Sequence, residues 1–121
     1  MPQNEKLDYV ELPSSDLPST KAFFEKAFGW TFVDYGPDYT SFSDQGLNGG
    51  FFHSDQCSST SHGAALLVFF SDNLERTLAK VVDAGGTIVK PTFSFPGGRR
   101  FHFTEPCGSE FAVWSDSDAA D

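Results

Sequence analysis

The residues best suited to chemistry in this 121-residue chain are three histidines, His53, His62 and His102, and two carboxylates, Glu11 and Glu110. Imidazole and carboxylate hold Zn, Ni, Mn or Fe(II), and the same groups move protons. His102 with Glu110 or Glu11 has the composition of an acid/base pair, and also of a structural hydrogen-bonded pair, the commoner role for such residues. Arg100 offers a bidentate clamp for a carboxylate or a charge that neutralises Glu110. Trp30, Tyr39 and Trp114 have faces on which a planar ligand stacks, although Trp30 directly follows a helix and is assigned to the core. His62 lies in a Ser-rich linker and is expected to be solvated. Gly97-Gly98 sits in a hairpin with no helix behind it, so it is no phosphate loop. No serine occupies a nucleophile elbow.

Strand alternation decides which of these residues share a face. In the last hairpin Phe101, Phe103, Phe111 and Val113 fall on one parity and read as core. Arg100, His102, Thr104, Glu110, Ala112 and Trp114 fall on the other. In the first strand Val10 and Leu12 go to the helix side, with Tyr9 and Glu11 opposite. Aligning strand ends by their common Ser-Asp (Ser54-Asp55 and Ser115-Asp116) sets Phe51 against Ala112 and His53 against Trp114. On that register Tyr9, Glu11, His53, Arg100, His102, Glu110 and Trp114 line one concave surface. A solvated face, or one covered by a second chain, fits the same alternation.

Two helices must carry these strands. The first runs from an Asp16 cap, through Pro18 in its first turn, to a Gly29 stop, with Leu17, Thr20, Phe24, Ala27 and Phe28 as its apolar stripe. The second runs from Asp72 or Asn73 to Gly85-Gly86, with Leu74, Leu78, Val81 and Val82. They repeat at an offset of 57: Leu17/Leu74, Thr20/Thr77, Ala22/Ala79, Ala27/Ala84 and Gly29/Gly86 are identical pairs. An apolar extended run precedes each helix (Leu7–Leu12; Ala64–Phe70). Three β-rich segments follow each: Trp30–Asp34, Tyr39–Ser43 and Gly50–Ser54, then Thr87–Lys90, Arg99–Thr104 and Glu110–Ser115. Each half therefore reads β-α-β-β-β. The expected fold is α+β, one domain of two βαβββ modules (about 5–55 and 64–116) joined by a linker at about 56–63, with curved mixed sheets and helices outside. The acidic tail Ser115–Asp121 is expected to fray.

Composition narrows the partners. Eight basic and 17 acidic residues leave a net charge of −9, and only Arg99-Arg100 are adjacent cations, so nucleic acid and anionic membrane are excluded as first choices. No apolar run is long enough to span a bilayer, and MPQNEKLDYV has no signal-peptide pattern. Cys57 and Cys107 match no metal or redox spacing and read as reduced thiols of a cytoplasmic protein. Fourteen Phe against one Met supply aromatic bulk for a packed core.

The repeated module, the run from Tyr9-Val-Glu-Leu-Pro-Ser-Ser-Asp-Leu17 into Phe23-Phe-Glu-Lys-Ala-Phe-Gly-Trp30, Ala84-Gly-Gly86 and the closing Glu105-Pro-Cys-Gly-Ser-Glu-Phe111 resemble the vicinal oxygen chelate superfamily. That group includes glyoxalase I, extradiol dioxygenases and the bleomycin and fosfomycin resistance proteins. The resemblance implies homodimers with cup-shaped sites at the interface. In metal-dependent members it implies ligands on the first, fourth, fifth and eighth strands. Those positions here hold Tyr9, Phe51, Leu66 and Ala112, none an ordinary ligand, so neither the usual metal nor another cofactor is expected. Three readings follow. The first is a metal-free small-molecule binder like the bleomycin-resistance type. The second is a glyoxalase-type lyase or dioxygenase with ligands drawn from Glu11, His53, His62, His102 and Glu110. The third is a structural dimer with vestigial cups.

Overall fold

Each helix begins and ends where its capping residues stand. The computed structural model describes residues 2–116; the tail expected to fray lies almost wholly outside them. Helix α1 (Leu17–Phe28) is capped by the Asp16 side chain, which accepts from the Ser19 amide, and it stops at Gly29, whose φ of 72° is left-handed. Helix α2 (Leu74–Asp83) is capped by Asn73, which accepts from the Arg76 amide. The first module is β1 (Tyr9–Ser14), α1, β2 (Phe32–Asp34), β3 (Tyr39–Gln45) and β4 (Leu47–His53). The second is β5 (Leu67–Phe70), α2, β6 (Thr87–Phe95), β7 (Gly98–Thr104) and β8 (Glu110–Ser115). A 3-10 turn, Thr60–His62, lies in the connection between them.

The sheets are copies, ordered β1-β4-β3-β2 and β5-β8-β7-β6. In each, the first strand pairs parallel with the last and the other pairs are antiparallel. The copying reaches single atoms. Ser14 Oγ lies 2.7 Å from Thr20 Oγ1 and accepts from the Asp16 amide, and Ser71 Oγ lies 2.7 Å from Thr77 Oγ1 and accepts from the Asn73 amide. The expected α+β class and the two βαβββ modules are therefore observed.

This atomic equivalence corrects the strand register. Leu12 pairs with Phe51, and Phe69, 57 residues after Leu12, pairs with Val113. Phe51 thus corresponds to Val113 rather than Ala112, and it lies wholly buried, stacked at 5.5 Å on Phe24 of α1. The Ser-Asp ends were a false anchor; the serines before the helices are the true one. Two helix assignments also change. Phe23, left out of the α1 stripe, is buried against Phe103, because α1 is packed by both modules and needs a wider apolar arc than one stripe. Val82 of α2 is half exposed. Strand β6 runs past Pro91 to Phe95, since an edge strand with register shifts tolerates proline.

The core is shared between modules. Phe24 contacts Trp30 (4.5 Å) and Phe51 (5.5 Å) from the first and Phe111 (5.3 Å) from the second. Trp30 is buried as expected. A polar tie crosses the same boundary: buried Glu105, before β8, accepts from Thr20 Oγ1 of α1 at 2.7 Å and from the Ser109 amide at 2.9 Å.

Candidate functional site

The alternation of β7 and β8 builds the polar face of the second sheet. Phe101, Phe103, Phe111 and Val113 are buried on the helix side. Arg100, His102, Glu110 and Trp114 fall on the opposite parity, with Arg100 opposite Trp114 and His102 opposite Ala112. There His102 Nδ1 lies 3.0 Å from Glu110 Oε2, and His102 Nε2 meets Arg100 Nε at 3.2 Å and Nη2 at 3.0 Å. A guanidinium can only donate, so Nε2 is the acceptor. Nδ1 therefore carries the proton and donates it to Glu110. His102 is held as a neutral imidazole with both nitrogens committed, which makes it a positioning group in this arrangement rather than a free base.

Glu110 is held in turn from the connection between modules. Its Oε1 accepts from the Thr60 amide at 2.9 Å and the Thr60 hydroxyl at 2.8 Å. Burial alone would raise its carboxyl, but the Thr60 amide, His102 and the Thr60 hydroxyl outweigh burial and keep it below its usual 4.5. A carboxyl lowered on folding adds stability above its unfolded pKa and withdraws it as pH falls through the folded value. Denaturant midpoints measured between about pH 7 and pH 3 should therefore fall on the acid side of 4.5. Asp34, lowered by Lys21 and Thr40, and Glu75, lowered by Arg99, titrate in the same window. The contribution of Glu110 is thus the part of the acid limb that Glu110→Gln removes. An unchanged limb in that variant would contradict the assignment.

Around this chain lies an aromatic rim. The Arg100 guanidinium sits 5.9 Å from the Phe93 ring and 5.8 Å from the Phe95 ring. Phe93 lies 5.9 Å from the His102 ring, and Trp114 meets Phe95 at 6.2 Å and Phe70 at 5.1 Å. Phe70, Phe93, Phe95 and Thr60 were absent from the sequence-derived set. The alternation Phe93-Ser94-Phe95 carried the signal for two of them, hidden by ending the strand before Pro91. For Thr60, 50 residues from Glu110, no local signal exists.

The first sheet holds a second, separate cluster. Tyr39 donates to Glu11 Oε2 at 3.0 Å and its hydroxyl lies 2.5 Å from that of Tyr9. Burial first, then the contacts with Tyr9 and Glu11, push the Tyr39 hydroxyl above its usual range. His53 joins neither cluster. It pairs with Ser14, whose side chain faces α1, and it is exposed at the end of β4 on the parity of Phe51. Its expected place on the concave face rested on the mistaken register. His62 is exposed beside Ser59 Oγ.

With the register corrected, the strand positions that hold metal in metal-dependent proteins of similar pattern are Tyr9, Gly50, Leu66 and Ala112, with Gly50 replacing Phe51. A Cβ at position 50 would overlap the Tyr39 hydroxyl and stand 2.8 Å from the Thr40 carbonyl oxygen, so a ligand side chain there requires both Tyr39 and the backbone to shift. Among the described residues no group of three or more His, Cys, Asp or Glu is arranged to hold a metal ion. The donor set does not fit that metal. An apolar crevice of about 400 Å³ opens at Val10, Phe42, Leu47, Leu67, Phe69 and Phe70, adjoining the aromatic rim at Phe70, with Gln45 and the Trp30 indole its polar side chains. It lacks the convergent polar groups that orient a ligand.

Comparison with known proteins agrees with this architecture. The glyoxalase-related enzyme from Fulvimarina pelagi superposes with a TM-score of 0.73 at 19% identity, over 92% of this chain and 88% of that one. A glyoxalase/bleomycin resistance protein/dioxygenase family enzyme from Burkholderia phytofirmans PsJN gives 0.76 at 16%, over 93% and 99%. Lactoylglutathione lyase from Agrobacterium tumefaciens gives 0.69 at 15%, over 92% and 93%. At these identities the likeness is one of fold. No curated protein sequence matches significantly. The family model of the Glyoxalase/Bleomycin resistance protein/Dioxygenase superfamily matches residues 6–113, and with two βαβββ modules spanning the same residues, the chain belongs to that superfamily.

Proposed function

We propose that this protein binds a small molecule on the Arg100–Trp114 face of the second sheet, using side chains alone and no resident metal or cofactor. The observation that carries the reading is the chain Thr60–Glu110–His102–Arg100, in which three residues are spent holding one guanidinium among aromatic rings. A solvated face has no need of a buried histidine and carboxylate to orient a cation. Tyr9 and Glu11 supply the second half of the site. They lie on a different sheet, and a homodimer that sets the first sheet of one chain against the second sheet of another would join the halves. The exposed side chains Tyr9, Val68 and Phe70 on edge strands β1 and β5 support such pairing. Two free thiols suit a cytoplasmic setting.

The test is a melting-temperature screen against a panel of metabolites and drugs, with wild type and Trp114→Ala side by side. Any ligand at one hundred times its Kd stabilises by about 2.7 kcal/mol, a readily measured shift. The expected result is one or more compounds that raise the wild-type midpoint and lose most of that effect in Trp114→Ala. A panel without a hit, or hits indifferent to Trp114, would overturn the reading.

A further inference from the structure

We infer that the ligand of this face is a planar aromatic or conjugated molecule carrying a carboxylate, its anionic end on Arg100 and its flat body against Phe93, Phe95 and Trp114. The inference rests on the binding reading above and adds the chemical class.

The two adjacent arginines make the case by contrast. Arg99 is matched within the chain: its Nη1 and Nη2 lie 2.7 and 3.3 Å from the two carboxylate oxygens of Glu75. Arg100 has no carboxylate in hydrogen-bond reach among the described residues. It gives Nε and Nη2 to a neutral imidazole. One edge of the guanidinium is thereby fixed on His102. The end-on edge, one Nη1 proton and the second Nη2 proton, is the fork that matches a carboxylate. Glu110 does not satisfy that charge directly: its partners are Thr60 and His102, and the His102 ring stands between it and Arg100.

The surroundings select the rest of the molecule. Phe93, beside the guanidinium, is 39% exposed, and Phe70, beside Trp114, is 55% exposed, so the face offers open apolar rings. A small hydrated anion would gain nothing from them, whereas a planar π-system would stack. The net charge of −9 opposes an anion only weakly at this range, since fields are screened over about 8 Å at physiological ionic strength. A cationic ligand, which the overall charge would favour, meets Arg100 head-on.

The probes are 2-naphthoate and 2-naphthamide, which share shape and ring and differ in charge. They are titrated calorimetrically into the full chain and into Arg100→Gln, Arg99→Gln and Trp114→Ala, with circular dichroism confirming that each variant is folded. Naphthoate is expected to bind wild type at least tenfold tighter than naphthamide. Arg100→Gln should erase that preference, Arg99→Gln should keep it within twofold, and Trp114→Ala should weaken both probes. If Arg100→Gln fails to fold, Arg100→Lys replaces it: that variant keeps the charge but not the fork, and should lose most of the preference. Equal binding of the two probes to wild type, with Trp114→Ala still weakening both, overturns the carboxylate class and leaves the binding reading standing. Equal losses in the two arginine variants also overturn it, because bulk charge would then explain the preference. Absence of binding by either probe contradicts the inference, while hits in the wider panel would still support the reading beneath it.

Discussion

Phe24→Ala is expected to lower the unfolding free energy by about 3–5 kcal/mol, the range for emptying a buried phenylalanine site. Phe24 is fully buried and its ring touches Phe23, Phe28, Trp30, Phe51 and Phe111. Those partners come from α1, the second residue beyond it, β4 and β8, so the cavity would open where the modules meet. Large neighbouring rings cannot rotate to fill it without breaking their own stacking, which places the cost toward the upper end. Domains of this size have about 5–15 kcal/mol in total, so the variant should retain only a fraction. Urea unfolding checks this, with Phe24→Leu as the milder comparison. A loss under about 1 kcal/mol would mean that Phe24 is not the keystone its contacts imply.

Glu105→Leu is the second large effect. The substitution removes an acceptor from two buried donors, the Thr20 hydroxyl and the Ser109 amide. The Ser109 amide, left without that acceptor, costs about 1–3 kcal/mol, and the Thr20 hydroxyl must turn to Ser14 Oγ or Cys107 Sγ. Thr20 also carries the contact to Ser14, so the disturbance reaches the start of α1. Removing the hydroxyl as well, in Thr20→Val/Glu105→Leu, should recover part of the loss, because two apolar groups leave fewer unsatisfied atoms than one. A double variant no better than the additive sum would show that the tie contributes through packing alone. Because Glu105 and Thr20 belong to different modules, this pair also reports on how firmly the modules are joined.

The legibility of this fold in its sequence follows physical lines. The helices were readable because capping and stop residues act within four positions of themselves: Asp16 with Ser19, Asn73 with Arg76, Gly29 by its own backbone. The repeat was readable because both modules solve the same local problem with the same Ser, Thr and Gly. The core parity of Phe101, Phe103, Phe111 and Val113 followed from alternation in an unbroken hairpin. Errors arose where chain geometry departs from such rules. The register of β4 is set by pairing with β1 across a connection of more than thirty residues, and a matching Ser-Asp end says nothing about that. Strand β6 contains proline and shifts register, which hid Phe93 and Phe95. Thr60 reaches Glu110 only because the linker folds back over the sheet. The set Arg100, His102, Glu110 and Trp114 was thus readable as one face, Tyr9 and Glu11 proved to be a separate cluster, and His53 belonged with neither.

We propose the second sheet's aromatic and basic face as the ligand surface. Its most direct test is an NMR titration of uniformly 15N-labelled protein with the strongest compound from the melting screen, read at every amide and at the Trp114 Nε1 and Arg100 Nε resonances. Shifts are expected at both side-chain signals and along 98–104 and 110–115, the span of β7 and β8. Shifts confined to Val10, Leu47, Leu67 and Phe69, around the apolar crevice, with Trp114 and Arg100 unmoved, would contradict that assignment.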